Sequence, residues 1–114
     1  KKMLKVTEEN GWAIIHLQGE LDMSNSNTFK EEVVGTMIEK GKNHIALNFS
    51  GLEYIDSSGL GTVVSLHKRC KMNGGKLAVY DIGETLLRLF KLTSLDKALN
   101  LYEDKELIFG RGEK

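Results

Sequence analysis

The feature that most limits the fold of this chain is a repeated switch in hydrophobic period, between two residues and about 3.6. From Trp12 to Leu17 the side chains alternate, with Trp12, Ile14 and His16 on one face and Ala13, Ile15 and Leu17 on the other. Apolar residues on both faces predict a well-covered strand. Phe29, Val33, Val34, Met37 and Ile38 then recur at helical spacing, with Lys30, Glu31, Glu32, Glu39 and Lys40 elsewhere on the same stretch. Period two returns from His44 to Phe49, where Ile45, Leu47 and Phe49 share a face. A second helix is predicted from Ser57 or Ser58 to about Asn73, its inner stripe traced by Leu60, Val63, Val64, His67 and Cys70 or Lys71. Leu77 to Tyr80 predicts a strand, Glu84 to Thr93 a third helix, Leu99 to Tyr102 a last strand and Glu103 to Phe109 a short last helix. Strands that alternate with helices imply an α/β layer fold with parallel pairing.

Proline is absent, so glycine and asparagine punctuate the chain. Leu4 and Val6 suggest a short first strand, tied to the second by the turn Glu9-Asn10-Gly11. So short a link makes that pair antiparallel and the sheet mixed. Gly19-Glu20-Leu21-Asp22 is expected to end the second strand, Ser24 or Ser26 to cap the first helix and Gly41 to close it. Ser50-Gly51 reads as a break, with Leu52 to Ile55 leading into the next helix, and Asn73-Gly74-Gly75 stops that helix. The 114 residues suit a single domain, residues 1–114, with a polar tail from about Gly110. Its helices are expected chiefly on one face of the sheet.

Sixteen basic residues balance sixteen acidic ones. That neutrality argues against broad electrostatic binding to nucleic acid or to an anionic membrane, and leaves room for a local patch. The single cysteine, Cys70, forms no intrachain disulfide, which fits a reducing compartment. No segment resembles a signal peptide, and no apolar run approaches the roughly 18 residues of a spanning helix, so a cytoplasmic location is expected.

The chemistry concentrates in Asp56-Ser57-Ser58-Gly59-Leu60-Gly61, where a strand gives way to a helix. Sites in open α/β sheets gather at the carboxyl ends of strands. Asp56 is placed to accept backbone N–H bonds as a cap. Gly59 and Gly61 free the first turn of side-chain bulk, so a partner or a kinase site has room to approach the backbone. By residue physics alone the segment is equally well an ordinary helix start.

The hexapeptide resembles the signature of the STAS domain, the family of bacterial anti-sigma factor antagonists. Three further segments are similar to that family in the same order. They are Gly19-Glu20-Leu21-Asp22 after the second strand, Asn73-Gly74-Gly75-Lys76-Leu77 at the turn into the fourth strand, and Leu87-Arg88-Leu89-Phe90-Lys91-Leu92-Thr93 in the third helix. The resemblance implies that Ser57, directly after the aspartate, accepts a phosphate. It implies an anti-sigma factor that is also a serine kinase as partner. The unphosphorylated form binds that partner and frees a sigma factor, and a serine phosphatase resets the switch. Asp22 and Asp56 match positions near the phosphorylation site, and Ser58 matches a variable, secondary one. The implied partner surface comprises Asp22, Ser24, Asn25, Asp56, Ser57, Ser58, Gly59 and Leu60. No enzymatic activity, cofactor, nucleic acid or membrane partner is implied.

Other readings are weaker. A serine hydrolase is suggested only by the place of Ser57; the surrounding sequence is not Gly-x-Ser-x-Gly and no histidine is evidently its base. The pair Gly59 and Gly61 lacks the Lys-Ser/Thr of a phosphate-binding loop. His16, His44 and His67 are scattered rather than clustered for a metal. Cys70 reads as an inert buried thiol and Trp12 as a packing residue. Within the family, STAS domains also regulate anion transporters, stress-sensing complexes and lipid-transport assemblies; an intact serine at position 57 favours the phospho-switch.

Overall fold

A turn at Asn10 and Gly11, both with positive φ, folds β1 (Val6–Glu9) back on β2 (Trp12–Leu21) as an antiparallel pair. A computed structural model describes residues 4–110 of the chain. After β2 come α1 (Ser26–Thr36), a 3₁₀ turn at Ile38–Lys40, β3 (His44–Ile55), α2 (Ser57–Met72), β4 (Lys76–Tyr80), α3 (Glu84–Leu92), α4 (Leu95–Ala98), β5 (Asn100–Tyr102) and α5 (Glu106–Phe109). The five strands lie in the order β1-β2-β3-β4-β5, and every pair after the first is parallel. The carboxyl ends of β2 and β3 therefore open at the same edge of the molecule, where α1 and α2 begin.

The main core lies between the sheet and the helices α1, α2 and α3. Ile15, Leu17, Ile45, Leu47, Phe49, Leu77 and Val79 face Val33, Val63, Leu66 and Phe90 there. Phe49 and Phe90 meet edge to face at 6.1 Å across this layer. Each such ring contributes roughly 1.5–3 kcal/mol by burial alone. The opposite face is covered more thinly, by α5. Phe109 packs edge-on against Trp12 and Tyr80, each at 5.9 Å, and Trp12 also meets His44 at 5.3 Å. The mixed sheet with helices chiefly on one face matches the sequence expectation, as does the packing role of Trp12.

Several boundaries differ from the sequence pattern. β2 runs on through Gly19 to Leu21, and β3 runs through Ser50-Gly51 to Ile55. The glycines that read as strand ends are instead sites of irregular pairing, between His16 and Gln18 and between Gly19 and Glu20. At Gly51 a Cβ would stand 2.8 Å from the Leu17 carbonyl oxygen, so glycine lets the two strands stay together through the bulge. α1 ends at Thr36, and the apolar pair Met37 and Ile38 is buried through the 3₁₀ turn that Gly41 closes. Neither Ser24 nor Ser26 caps α1; Asn25 holds the cap position without a side-chain cap bond, and Ser26 is buried. The inner stripe of α2 is Gly59, Leu60, Thr62, Val63, Leu66 and Cys70, so it includes Leu66 and leaves Val64 and His67 half-buried. The short α4 has no counterpart in the sequence expectation.

On the thinly covered face a row of polar side chains crosses the sheet. Thr7 Oγ1 lies 2.8 Å from His16 Nε2, and Asn48 Nδ2 lies 3.2 Å from His16 Nδ1. The Asn48 amide carbonyl accepts from the Ser50 N–H at 2.9 Å, which orients the amide so that its NH2 faces the ring. His16 Nδ1 is thus the acceptor and the ring is neutral. Burial, then the charge of Lys5, lowers its pKa below 6.5. His67 is lowered too, by burial and then by Lys71 and Lys68. Both groups favour the folded state when neutral, and the unfolded chain gains protons first as pH falls. Stability is therefore expected to be level above about pH 7 and to decline from about 6.5 downward. The urea midpoint between pH 7.5 and 5 measures this. The double variant His16→Gln/His67→Gln should flatten the decline; an equal decline in that variant would refute the assignment.

Candidate functional site

Asp56 is the last residue before α2, and extended backbone there (φ −109°, ψ −172°) turns its carboxylate over the helix start. Oδ1 accepts from the Gly59 N–H at 2.9 Å, an N-cap worth about 1 kcal/mol. Oδ2 accepts from the Met23 N–H at 3.0 Å. One carboxylate thus ties the beginning of α2 to the loop between β2 and α1. The Asp56 N–H also donates to the Leu21 carbonyl at 3.3 Å, so the two strand ends are bound directly.

The loop is folded from within. The Asp22 carboxylate accepts from both the Ser24 N–H at 2.9 Å and the Ser24 hydroxyl at 2.6 Å. Those two bonds, the hydroxyl's first, hold the Asp22 carboxyl below the usual carboxylate range. Asn25 uses both ends of its amide locally: Oδ1 accepts from the Asp22 N–H at 2.9 Å and Nδ2 donates to the Glu20 carbonyl at 2.8 Å. Ser24 and Asn25 also line a groove of about 430 Å³ between β2 and α1. The loop needs no partner to hold its shape.

Ser57 occupies the first helical position of α2 and is exposed, while Ser58 beside it is half-buried. The structure brings Asp22, Ser24, Asp56 and Ser57 to one edge. It turns Gly59 and Leu60 inward instead. Leu60 is part of the main core. A Cβ on Gly59 would stand 2.3 Å from the Leu21 carbonyl oxygen and 2.6 Å from Ile55 Cγ1. Gly59 lets α2 press against the ends of β2 and β3. Gly61 is the glycine that faces open space.

Two exposed apolar residues at this edge carry no signal in the sequence. Met23 is 80% exposed and Tyr54 52% exposed. Met23 is the residue whose N–H Asp56 holds. Tyr54 precedes Asp56 by two positions and pairs with Glu20 across β2 and β3.

The other chemically active groups stand elsewhere. His67 lies ten residues along α2 from Ser57, about 15 Å by helical rise. His44 opens β3 at the far end of the sheet, and His16 is engaged by Thr7 and Asn48. None is placed as a base for Ser57. Cys70 is fully buried in the core, and burial pushes its thiol up to about 11. Among the described residues no group of three or more His, Cys, Asp or Glu side chains is arranged to hold a metal ion. Among them, no helix is long and apolar enough to cross a membrane.

A family model described as the STAS domain matches residues 3–107. The anti-sigma F factor antagonist of Paenibacillus polymyxa is 28% identical over 102 residues, 90% of this chain and 87% of that protein. The anti-sigma-B factor antagonist of Bacillus subtilis is 29% identical over 92 residues, 81% of this chain and 83% of that protein. The NMR structure of the Thermotoga maritima protein TM1081 has a TM-score of 0.85 at 29% identity, covering 99% of this chain and 92% of that one. Bacillus SpoIIAA shares the fold in two forms. The unphosphorylated form gives a TM-score of 0.70 at 20% identity over 92% of each chain. The phosphorylated form gives 0.68 at 23% identity, over 93% of this chain and 96% of that one.

Proposed function

This chain belongs to the STAS domain family, and from that premise we propose that it is an anti-sigma factor antagonist whose binding is switched by phosphorylation of Ser57. The observation that carries the proposal is the exposed hydroxyl at the first position of α2, directly after the Asp56 cap. The names of its relatives and the existence of a phosphorylated SpoIIAA support it. The partner is an anti-sigma factor with serine kinase activity, and a serine phosphatase restores the hydroxyl. The domain is a kinase substrate and binding protein rather than an enzyme, and it acts in the cytoplasm. Asp22, Ser24, Asn25, Asp56, Ser57 and Ser58 form the partner surface, with Gly59 and Leu60 as its inner support.

Local electrostatics leave the fold indifferent to the modification. A phosphoserine carries about −1.5 to −2 charges at neutral pH. The helix N-terminus favours that charge by about 0.3–1 kcal/mol, and Asp56 next to it opposes it. The two terms nearly cancel within the domain. In an interface the same charge costs several kcal/mol where it meets like charge or is buried unpaired. Phosphorylation therefore acts on binding.

Incubation with ATP and the serine-kinase anti-sigma factors of the same genome tests the assignment. Intact mass and peptide mapping should show a single phosphate on Ser57, absent in Ser57→Ala. Phosphate found only on Ser58 would overturn it.

A further inference from the structure

The chain is neutral as a whole, but its charges are unevenly spread along the sequence. Residues 18–29, 50–67 and 77–87 contain no lysine or arginine. In the parallel part of the sheet these stretches carry the carboxyl ends of β2, β3 and β4 and the starts of α1, α2 and α3. They hold Glu20, Asp22, Glu53, Asp56, Asp81 and Glu84. The opposite end holds the exposed Lys40, Lys42, Lys68, Arg69 and Lys71, after α1 and at the end of α2, together with Glu39 and with Glu8, which pairs with Lys42 at 3.0 Å. Met23 and Tyr54 are exposed at this acidic end, Met23 in the loop after β2 and Tyr54 next to last in β3.

We propose that Met23 and Tyr54 are the apolar anchors of the docking surface around Ser57, and that they enter an apolar cleft rimmed by lysine or arginine on the kinase partner. This rests on the function proposed above and names the chemistry of the surface that meets this edge. Exposed tyrosine fills such clefts at low cost in order, and methionine adapts its shape to them. Glu20, Asp22, Glu53 and Asp56 outnumber the one lysine that borders this edge among the described residues, Lys5, and so favour opposite charge on whatever covers it. A kinase also brings the anionic phosphates of its nucleotide to this edge, and basic groups on the partner must offset that repulsion. The rim charges and the anchors then have separate effects. Charge at the rim speeds approach and is screened by salt, whereas buried anchors slow release.

Binding kinetics with the kinase that modifies the protein test this, using immobilised partner and the full chain. The association rate of the wild type should fall several-fold between low and physiological salt. Glu20→Gln/Glu53→Gln should lower the association rate and weaken its salt dependence. Met23→Ser/Tyr54→Ser should raise the dissociation rate about tenfold or more. Met72→Ser is the control, because Met72 is also 80% exposed but sits at the basic end; it should behave as wild type. Circular dichroism and urea midpoints establish that each variant is folded. Wild-type dissociation in the anchor variant, or association that is indifferent to salt, would overturn the docking surface while leaving the phospho-switch intact. Failure of the wild type to bind any serine-kinase anti-sigma factor would overturn both.

Discussion

Alanine in place of Gly59 should destabilise the domain by about 2–3 kcal/mol, a large part of the 5–15 kcal/mol that holds a domain of this kind together. The added methyl group would meet the Leu21 carbonyl at 2.3 Å and Ile55 Cγ1 at 2.6 Å. Neither neighbour has an easy retreat: one is backbone of β2, and the other is a core side chain that is 2% exposed. α2 would have to lift from the strand ends, and the Asp56 cap would stretch with it. Gly61→Ala is the matched comparison. It has nothing within 4 Å of the new methyl and lies in the same helix, so it should gain about 0.5–1 kcal/mol from helix propensity. Urea unfolding of the two variants should move the midpoint in opposite directions. Equal midpoints would show that α2 does not rest on Gly59 as described.

The second large effect is on binding. Phosphorylation of Ser57 should weaken the partner complex by at least about a hundredfold, roughly 3 kcal/mol, with the fold unchanged. No lysine or arginine occurs between residues 50 and 67 or between 18 and 29, so these segments framing the phosphate offer it no cation. Its charge is expected to meet the nucleotide phosphates that the kinase brings to Ser57, rather than the basic rim that meets Glu20 and Glu53, and so to repel. Titration calorimetry on the modified and unmodified protein gives the affinity ratio. Amide chemical shifts should change only around Ser57, Asp56 and the loop at Met23. Shifts spread through the core strands, or equal affinities, would contradict release by an interface term.

The layer order of the molecule was legible because burial writes a period into the chain. Ile45, Leu47 and Phe49 on one side of β3 and Phe29, Val33 and Val34 on α1 state which surfaces must meet. Glycine was harder to read, since its meaning depends on what lies opposite. Gly51 marks a close approach between strands rather than a strand end, and Gly59 an inward contact rather than outward access. The missed stripe residue Leu66 shows a different limit: a helix in a layered fold is buried on a broad arc, and spacing alone does not give its centre. Asp56 as a cap followed from its position before a helix, but its second oxygen did not. The bond to Met23 spans 33 residues of sequence and exists only once β2 and β3 lie side by side. Met23 and Tyr54 gave no signal because isolated apolar residues on a surface are common, and only their place at the edge where β2 and β3 end sets them apart.

That bond to Met23 also separates two kinds of heredity in the proposed switch. Asp56 grips the main-chain N–H of residue 23, a group that almost any amino acid supplies. The side chain at that position is left free to change. A lineage can therefore duplicate this domain and retune which partner each copy accepts, substituting at position 23 while the apparatus that presents the serine is inherited intact. Crosstalk between sister copies would be shed one surface side chain at a time, without any intermediate that loses its fold or the Asp56 cap before Ser57.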